Sequence, residues 1–342
     1  MGWLKHILIL AGWLVLLSVG APPPARAVIV LGGRDGDGNL DDSGTNKNPA
    51  PFDLGQYEGS FGGFLGTPIA PRYFVTASHI GDAGNGIFTF DNGTTTTTTY
   101  HVSLAGTQND LAIWRVNDGD PCFSLVAPLY TSSNEVGNPL VVLGNGTTRG
   151  SPVTWNDQLV GWQWGDGGTF KSWGTGTIGS IAPGGQDFGD LLRFTFDRTD
   201  PINLDQAILS VGDSGGPVFV QDPADGVYKL AGINSLVDAV SQTPNGSILT
   251  ASLFDARGFY DGADQITGPD PVPLGSYATR ISSNLDFIGQ TTDLTFSPPA
   301  VPEPSSLVVL AIGIVGGLGL SRALASKNGA PRSFGADRDR PG

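Results

Sequence analysis

The stretch "SVGDSGGPVFV", residues 210–220, sets Ser214 between an aspartate and two glycines, directly ahead of a run that reads as a strand. A serine hydroxyl is a weak nucleophile near neutral pH. It becomes useful when a histidine takes its proton and a carboxylate holds that imidazole in one tautomer and balances its charge. Only three histidines are available, and His6 falls in an N-terminal leader, which leaves His79 and His101. His79 stands in "RYFVTASHIGDAG", at the end of a strand pattern and beside turn residues that can hold a side chain at a rim. His101 follows "TTTTTTY" in a polar run and reads as an exposed strand histidine. Among the carboxylates, Asp110 in "QNDLAIWRV" stands at the mouth of an apolar strand, from which a buried acid can reach an imidazole. Asp82 and Asp91 lie in glycine-rich turns and read as solvated. The candidate chemistry is therefore carried by His79, Asp110 and Ser214, in that chain order.

Composition says what kind of scaffold must hold these residues. Cys122 is the only cysteine, so an intramolecular disulfide or a cysteine metal cluster is excluded and the fold must stand on its core. A chain of 342 residues is long enough for that, since folding buries roughly 75% of the unfolded surface at this size. With 51 glycines, 25 prolines and 15% charged residues, many short strands and turns are expected. Turn signals such as "GDAGNG", "GNG", "GDGG", "PGG", "PADG" and "DGAD" separate the alternating runs "RYFVTAS", "LAIWRV", "LVVLGN", "LRFTFD", "PVFVQ" and "YKLAGI". The pattern predicts an all-β domain, a closed antiparallel barrel or a sandwich. One helix is predicted in "ATRISSNLDFIGQ", where Ile281, Leu285 and Ile288 share a face. A net charge of −14 argues against nucleic acid as a partner.

Both ends fall outside that domain. Residues 1–27 place Lys5 and His6 before the apolar run Ile7–Leu17 and end on "ARA", the order of a secretory signal peptide, with a membrane anchor as the competing reading. Residues 28–292 form the expected catalytic domain and 293–304 a Pro-rich linker. In the tail, 305–342, the uncharged stretch Ser305–Ser321 is a transmembrane-helix candidate of borderline length, followed by Arg322 and Lys327. "VPEP" at 301–304, ahead of an apolar segment and a basic end, resembles the PEP-CTERM sorting signal of Gram-negative bacterial surface proteins. The run beyond Lys327, with Asp337 and Asp339, is longer than such signals usually are. The resemblance implies export to the cell surface or exterior, with membrane contact only through the apolar segment until a dedicated sorting protease removes it.

"VTASHI", "NDLAIWRV", "GDSGGPVF", "LAGINS" and "YATRISSNLDFI", in this order, resemble the successive signatures of the chymotrypsin-like (trypsin-like) serine endopeptidases. That likeness implies two six-stranded antiparallel β-barrels with the active site between them and a C-terminal helix. It assigns Ser214 as nucleophile, His79 as general base and then acid, and Asp110 as the orienting carboxylate. The N–H groups of Gly212 and Ser214 become the oxyanion hole, where one donor is worth about 3–4 kcal/mol in the transition state. Asp213 becomes the activation partner of a new N-terminal ammonium, for which "VIVLGG" at 28–33 is the candidate. Ile208 falls at the base of the primary specificity pocket and Ser235, Leu236 and Val237 at its wall, implying cleavage after small or medium apolar residues. Where relatives carry cysteines this chain has Ile80 and Ser210. No cofactor is implied, and the partners are protein or peptide substrates and the sorting protease.

The functional expectation is a secreted or surface-sorted Ser-His-Asp endopeptidase working through an acyl-enzyme. The alternative is a catalytically silent, protease-like surface-binding module. "GDSGG" also satisfies the G-x-S-x-G pattern of esterases, but the serine precedes a strand and the chain order Ser, Asp, His is absent. Trp162, Trp164 and Trp173 either pack or rim the cleft. One stretch invites a metal: Asp35, Asp37, Asn39 and Asp41 alternate as calcium ligands can. An EF-hand loop would need glycine and glutamate where Leu40 and Asn46 stand, so a solvated acidic turn is the competing reading.

Overall fold

Two short strands, β1 (Ile29–Val30) and β2 (Asn46–Lys47), precede six that close on themselves. These are β3 (Gly59–Phe61), β4 (Phe64–Ala70), β5 (Tyr73–Ala77), β6 (Ile87–Phe90), β7 (Thr98–Gln108) and β8 (Leu111–Val116), in the order β3-β4-β5-β8-β7-β6. The chain is described here from a computed structural model covering residues 28–296, apart from 36, 49, 92, 94–95, 168–170, 197–202 and 239–248. Closure follows from what fills the barrel. Phe61, Phe74, Phe88, Phe90, Tyr100, Trp114 and Phe123 form one aromatic core, in which Phe74 and Phe88 stack with centroids 4.0 Å apart. Burying each such ring stabilises the fold by about 1.5–3 kcal/mol. Gly59 is required for this packing, because a Cβ there would run into the Phe88 ring.

The second half contains β9 (Pro139–Gly144), β10 (Thr147–Trp155), β11 (Gln158–Gly167), β12 (Ser172–Thr177), β13 (Ser180–Pro183), β14 (Asp190–Thr195) and β15 (Ala207–Ile208). It continues with β16 (Pro217–Gln221), β17 (Tyr228–Val237), β18 (Ala251–Leu253), β19 (Tyr260–Asp261), β20 (Asp264–Gln265) and β21 (Gly275–Arg280). Eight strands pair in the order β13-β14-β21-β17-β16-β9-β12-β2. The fold is mostly β as expected, and one closed barrel is present among the described residues, beside the eight-stranded sheet of the second half. The N-terminal β2 adds to β12 at one end of the large sheet, and β10 and β11 leave to form a separate three-stranded sheet with β18. That small sheet builds a core of its own, in which Trp162, Phe254 and Phe196 meet Ile29 and Ile208.

Two helices complete the described chain, α1 (Gly185–Phe188) and α2 (Leu285–Thr292). The predicted helix over 278–290 is thus shortened at its start. Ala278–Arg280 belong to β21, whose ladders to β14 and β17 satisfy that backbone on both sides, and helix begins only after Asn284. Ile288 on the helix and Ile281 in the bend ahead of it both enter the core between the halves, so the burial expected of Ile281 is met without the helix reaching it. The leader and the sorting tail lie outside the described residues. Among the described residues no helix is long and apolar enough to cross a membrane.

Candidate active site

His79 sits in a 3-10 turn, Ser78–Ile80, that ends β5, and Gly81 with φ +57° terminates it. Asp110 lies in the tight turn between β7 and β8, 2% exposed. The two meet because β5 pairs with β8, Ala77 opposite Leu111, and Ser78 N donates to the Asp110 carbonyl at 3.1 Å. Asp110 then accepts His79 N at 2.9 Å through Oδ1, and His79 Nδ1 lies 2.8 Å from Oδ2 and 3.0 Å from Oδ1. A carboxylate can only accept, so Nδ1 carries the proton and Nε2 is left as an acceptor. Nε2 stands 2.8 Å from Ser214 Oγ. The relay from Asp110 through His79 to Ser214 is unbroken, spans both halves of the fold, and has the order of groups that nucleophilic catalysis by serine needs.

The glycines of "GDSGG" have separate reasons. Gly212 and Gly215 adopt φ of +97° and +81°, which a side chain disfavours. A Cβ at Gly215 would also run into Thr76 Oγ1 and the Leu65 carbonyl of the barrel, so the serine turn touches the other half of the molecule there. From Gly216 a Cβ would run into the Leu143 carbonyl of β9. Asn234, buried on β17, supports the same turn by donating to Leu143 O at 2.8 Å and to Asp213 O at 3.1 Å.

Asp213 points away from the relay into a buried cage. Its Oδ1 accepts Gly146 N at 2.6 Å, and its Oδ2 accepts Ser210 N at 2.7 Å and Ser210 Oγ at 3.1 Å. These donors are uncharged, and burial pushes the Asp213 carboxyl up to about 7 in spite of them. Ser210 therefore does more than fill the place of a cysteine. Its hydroxyl also accepts Thr147 N at 2.7 Å, tying the start of β10 to the serine turn.

The remaining candidates separate by position. Ser235, read as pocket wall, lies behind the relay, where its hydroxyl donates to Asp110 Oδ2 at 2.5 Å. Leu236 and Val237 follow it, half-buried, paired with Tyr277 and Ser276. Ile208 is 2% exposed, pairs with Ile29 and packs into the core of the small sheet. Trp162 and Trp173 are buried, and Trp164 donates to Ser252 Oγ at 3.0 Å, so packing accounts for all three. His101 is exposed beside Asp120. Asp35 accepts the amides of Asp37 and Asn39 at 3.0 and 2.8 Å, while Asp41 accepts Ser43 Oγ at 2.6 Å. The segment is an exposed turn closed by its own amides, and no group of three or more His, Cys, Asp or Glu able to hold a metal occurs among the described residues.

Comparison with known proteins agrees with the tail reading. Residues 300–323 match the PEP-CTERM protein-sorting motif, which marks export and surface sorting in Gram-negative bacteria. A search of curated proteins gives no significant match. Similar solved structures include HBP, at 15% identity and a TM-score of 0.43 over 74% of this chain and 99% of that one. A mutant of human heparin binding protein follows at 16% identity and 0.42, over 75% and 99%. An HtrA-type protease with a decapeptide reaches 16% and 0.35, over 66% and 50%. At these scores the likeness is loose, and the site's own geometry carries the chemistry.

Proposed function

We propose that the chain is a secreted or surface-sorted serine endopeptidase. The observation that supports this most is the continuous run of hydrogen-bond distances from buried Asp110 through both nitrogens of His79 to Ser214 Oγ. His79 takes the Ser214 proton as Oγ attacks a peptide carbonyl, Asp110 stabilises the imidazolium, and the proton passes to the leaving amine. The acyl-enzyme is then hydrolysed by water activated by the same imidazole. The N–H groups of Gly212 and Ser214 receive the oxyanion, and Ser235 holds Oδ2 of Asp110, the oxygen nearest His79 Nδ1. Half-buried Leu236 and Val237, next to Ser235 on β17, favour small or medium apolar residues before the scissile bond.

Labelling of the secreted chain with an organophosphonate serine probe, followed by cleavage of a proteome-derived peptide library, tests the reading. Labelling lost in Ser214→Ala and cleavage after apolar residues are the expected results. A folded wild-type chain that neither labels nor cleaves would instead be a silent surface-binding module.

A further inference from the structure

Asp110 takes its direction from a two-residue turn, Asn109 and Asp110, closed by the pairing of Gln108 with Leu111. Asn109 has φ +54°, a conformation that asparagine tolerates but that needs outside support to be held uniquely. The support comes from the far end of the domain. Asn284 occupies the N-cap of α2 and is 1% exposed, yet its side chain makes no capping bond to its own helix. An asparagine at that position ordinarily satisfies the first free helical amides. Here Oδ1 instead accepts Gln108 Nε2 and Asn109 Nδ2, each at 3.1 Å, while Nδ2 donates to Arg280 O at 2.7 Å.

The base from which Asn284 reaches is itself fixed. Arg280 donates to Glu135 from Nε at 2.9 Å and from the terminal guanidinium at 2.7 Å, and Ser282 Oγ donates to the same buried carboxylate at 2.5 Å. Glu135 has no solvent exposure, so this is a desolvated bidentate pair with little freedom. Phe287 of α2 lies over Gly106 on β7, setting the helix against the same hairpin.

We propose that Asn284 is a positioning residue for Asp110: by gripping Gln108 and Asn109 it fixes the turn from which the carboxylate meets His79 Nδ1. This rests on the peptidase reading above. Catalytic groups lose efficiency steeply when displaced, by as much as about 100-fold for about 1 Å. The grip matters because Asp110 must keep three donors, His79 N, His79 Nδ1 and Ser235 Oγ, on two oxygens at once.

Asn284→Ser separates this role from helix stability, since serine caps a helix as well as asparagine but cannot span to the turn. The expected result is a kcat lower by about 10- to 100-fold with KM little changed, and a weakened or broadened downfield NMR signal of the His79 Nδ1 proton. Asn109→Gly, which keeps the backbone conformation and deletes the amide, should give the same two effects. Wild-type kcat and an unchanged proton signal in both variants would overturn the proposal, as would a kcat loss that vanishes when the assay is cooled below the variant's melting range. The proton signal is read without turnover, so a wild-type chain that shows the signal but hydrolyses nothing would remove the peptidase reading, while the positioning of Asp110 by Asn284 would stand if both variants weaken the signal and fall if neither does.

Discussion

Val28 and Asp213 meet at Gly144: a Cβ at that glycine would run into Asp213 Oδ1 and lie 2.7 Å from Val28 Cγ2. Val28 is fully buried, its carbonyl accepts Ser172 Oγ at 3.2 Å, and the next residue begins the pairing of β1 with β15. Val28, which would become the first residue if a leader were cut after Ala27, therefore already lies beside the caged acid. We propose that its ammonium neutralises Asp213. Without it the carboxyl is raised to about 7, neutral below that pH and a buried, cation-free charge above it. A protein carrying a short uncleavable extension before Val28 should turn over at least about tenfold more slowly than the mature form at pH 8. The gap should narrow as pH falls through about 7. Equal turnover at pH 8 would leave Asp213 to the uncharged donors of its cage, Ser210 and the amides of Asn145 and Gly146.

Ser214→Ala and His79→Ala should each lower kcat by roughly 10⁴- to 10⁶-fold and leave the melting temperature nearly unchanged. Ser235→Ala is predicted to act by a different route. It removes one of three donors to a buried carboxylate, a loss worth about 1–3 kcal/mol, so kcat should fall by roughly 10- to 100-fold with little change in KM. Steady-state kinetics on one cleaved peptide compares all three. A Ser235→Ala enzyme with wild-type kcat would show that its hydroxyl is dispensable to Asp110.

Ile208 also behaves differently from a simple pocket floor. Its neighbours Ile29, Trp162, Phe196 and Phe254 form a packed apolar cluster. An aspartate there, the change that would ordinarily invite a basic substrate residue, would be buried among these apolar side chains, and Arg149, which lies over the Trp162 ring, is already engaged by Leu31 O and Asp42. Ile208→Asp should cost roughly 3–5 kcal/mol of stability and give no cleavage after Arg or Lys. Denaturant unfolding and peptide-library profiling are the measurements. A stable variant that cleaves after basic residues would move the side chain out of the core.

These outcomes mark how far the sequence could be read. Strands such as Pro217–Gln221 and Leu111–Val116 were legible because apolar runs bounded by turn residues have few other ways to bury themselves. The relay was legible because two usable histidines leave little choice. What the sequence hid depends on partners far along the chain. β2 joins the large sheet through Asn46 opposite Trp173, and Gly161 pairs with Leu253 to create the extra sheet. The tasks of Ser210 and Ser235 were hidden for the same reason: a serine's spacing does not say which carboxylate its hydroxyl will meet. The helix start was misread because Ala278–Arg280 fit a helical face locally, and only the two neighbouring strands decide otherwise.

Glu58 offers a prediction outside the site. It is fully buried at the entrance to β3, neither carboxylate oxygen has a hydrogen-bond partner among the described residues, and the Lys171 ammonium stands 3.8 Å from Oε2. Burial pushes the carboxyl up to about 7, although Lys171 pulls it down. A raised acid favours the folded state while it is protonated there. That contribution is complete below the ordinary value of 4.5 and is lost as pH rises through about 7. Glu58→Gln keeps the neutral shape at every pH, and Lys171, partly exposed, stays solvated without its partner. The melting temperatures of variant and wild type should therefore agree near pH 4.5 and separate by pH 8, with the glutamine form the more stable. Any titration of Asp213 in the same window is common to both proteins, so it cancels in the difference. Parallel curves across that range would mean that Glu58 is ionised and matched by Lys171 throughout, and that the attraction at 3.8 Å outweighs the cost of burial.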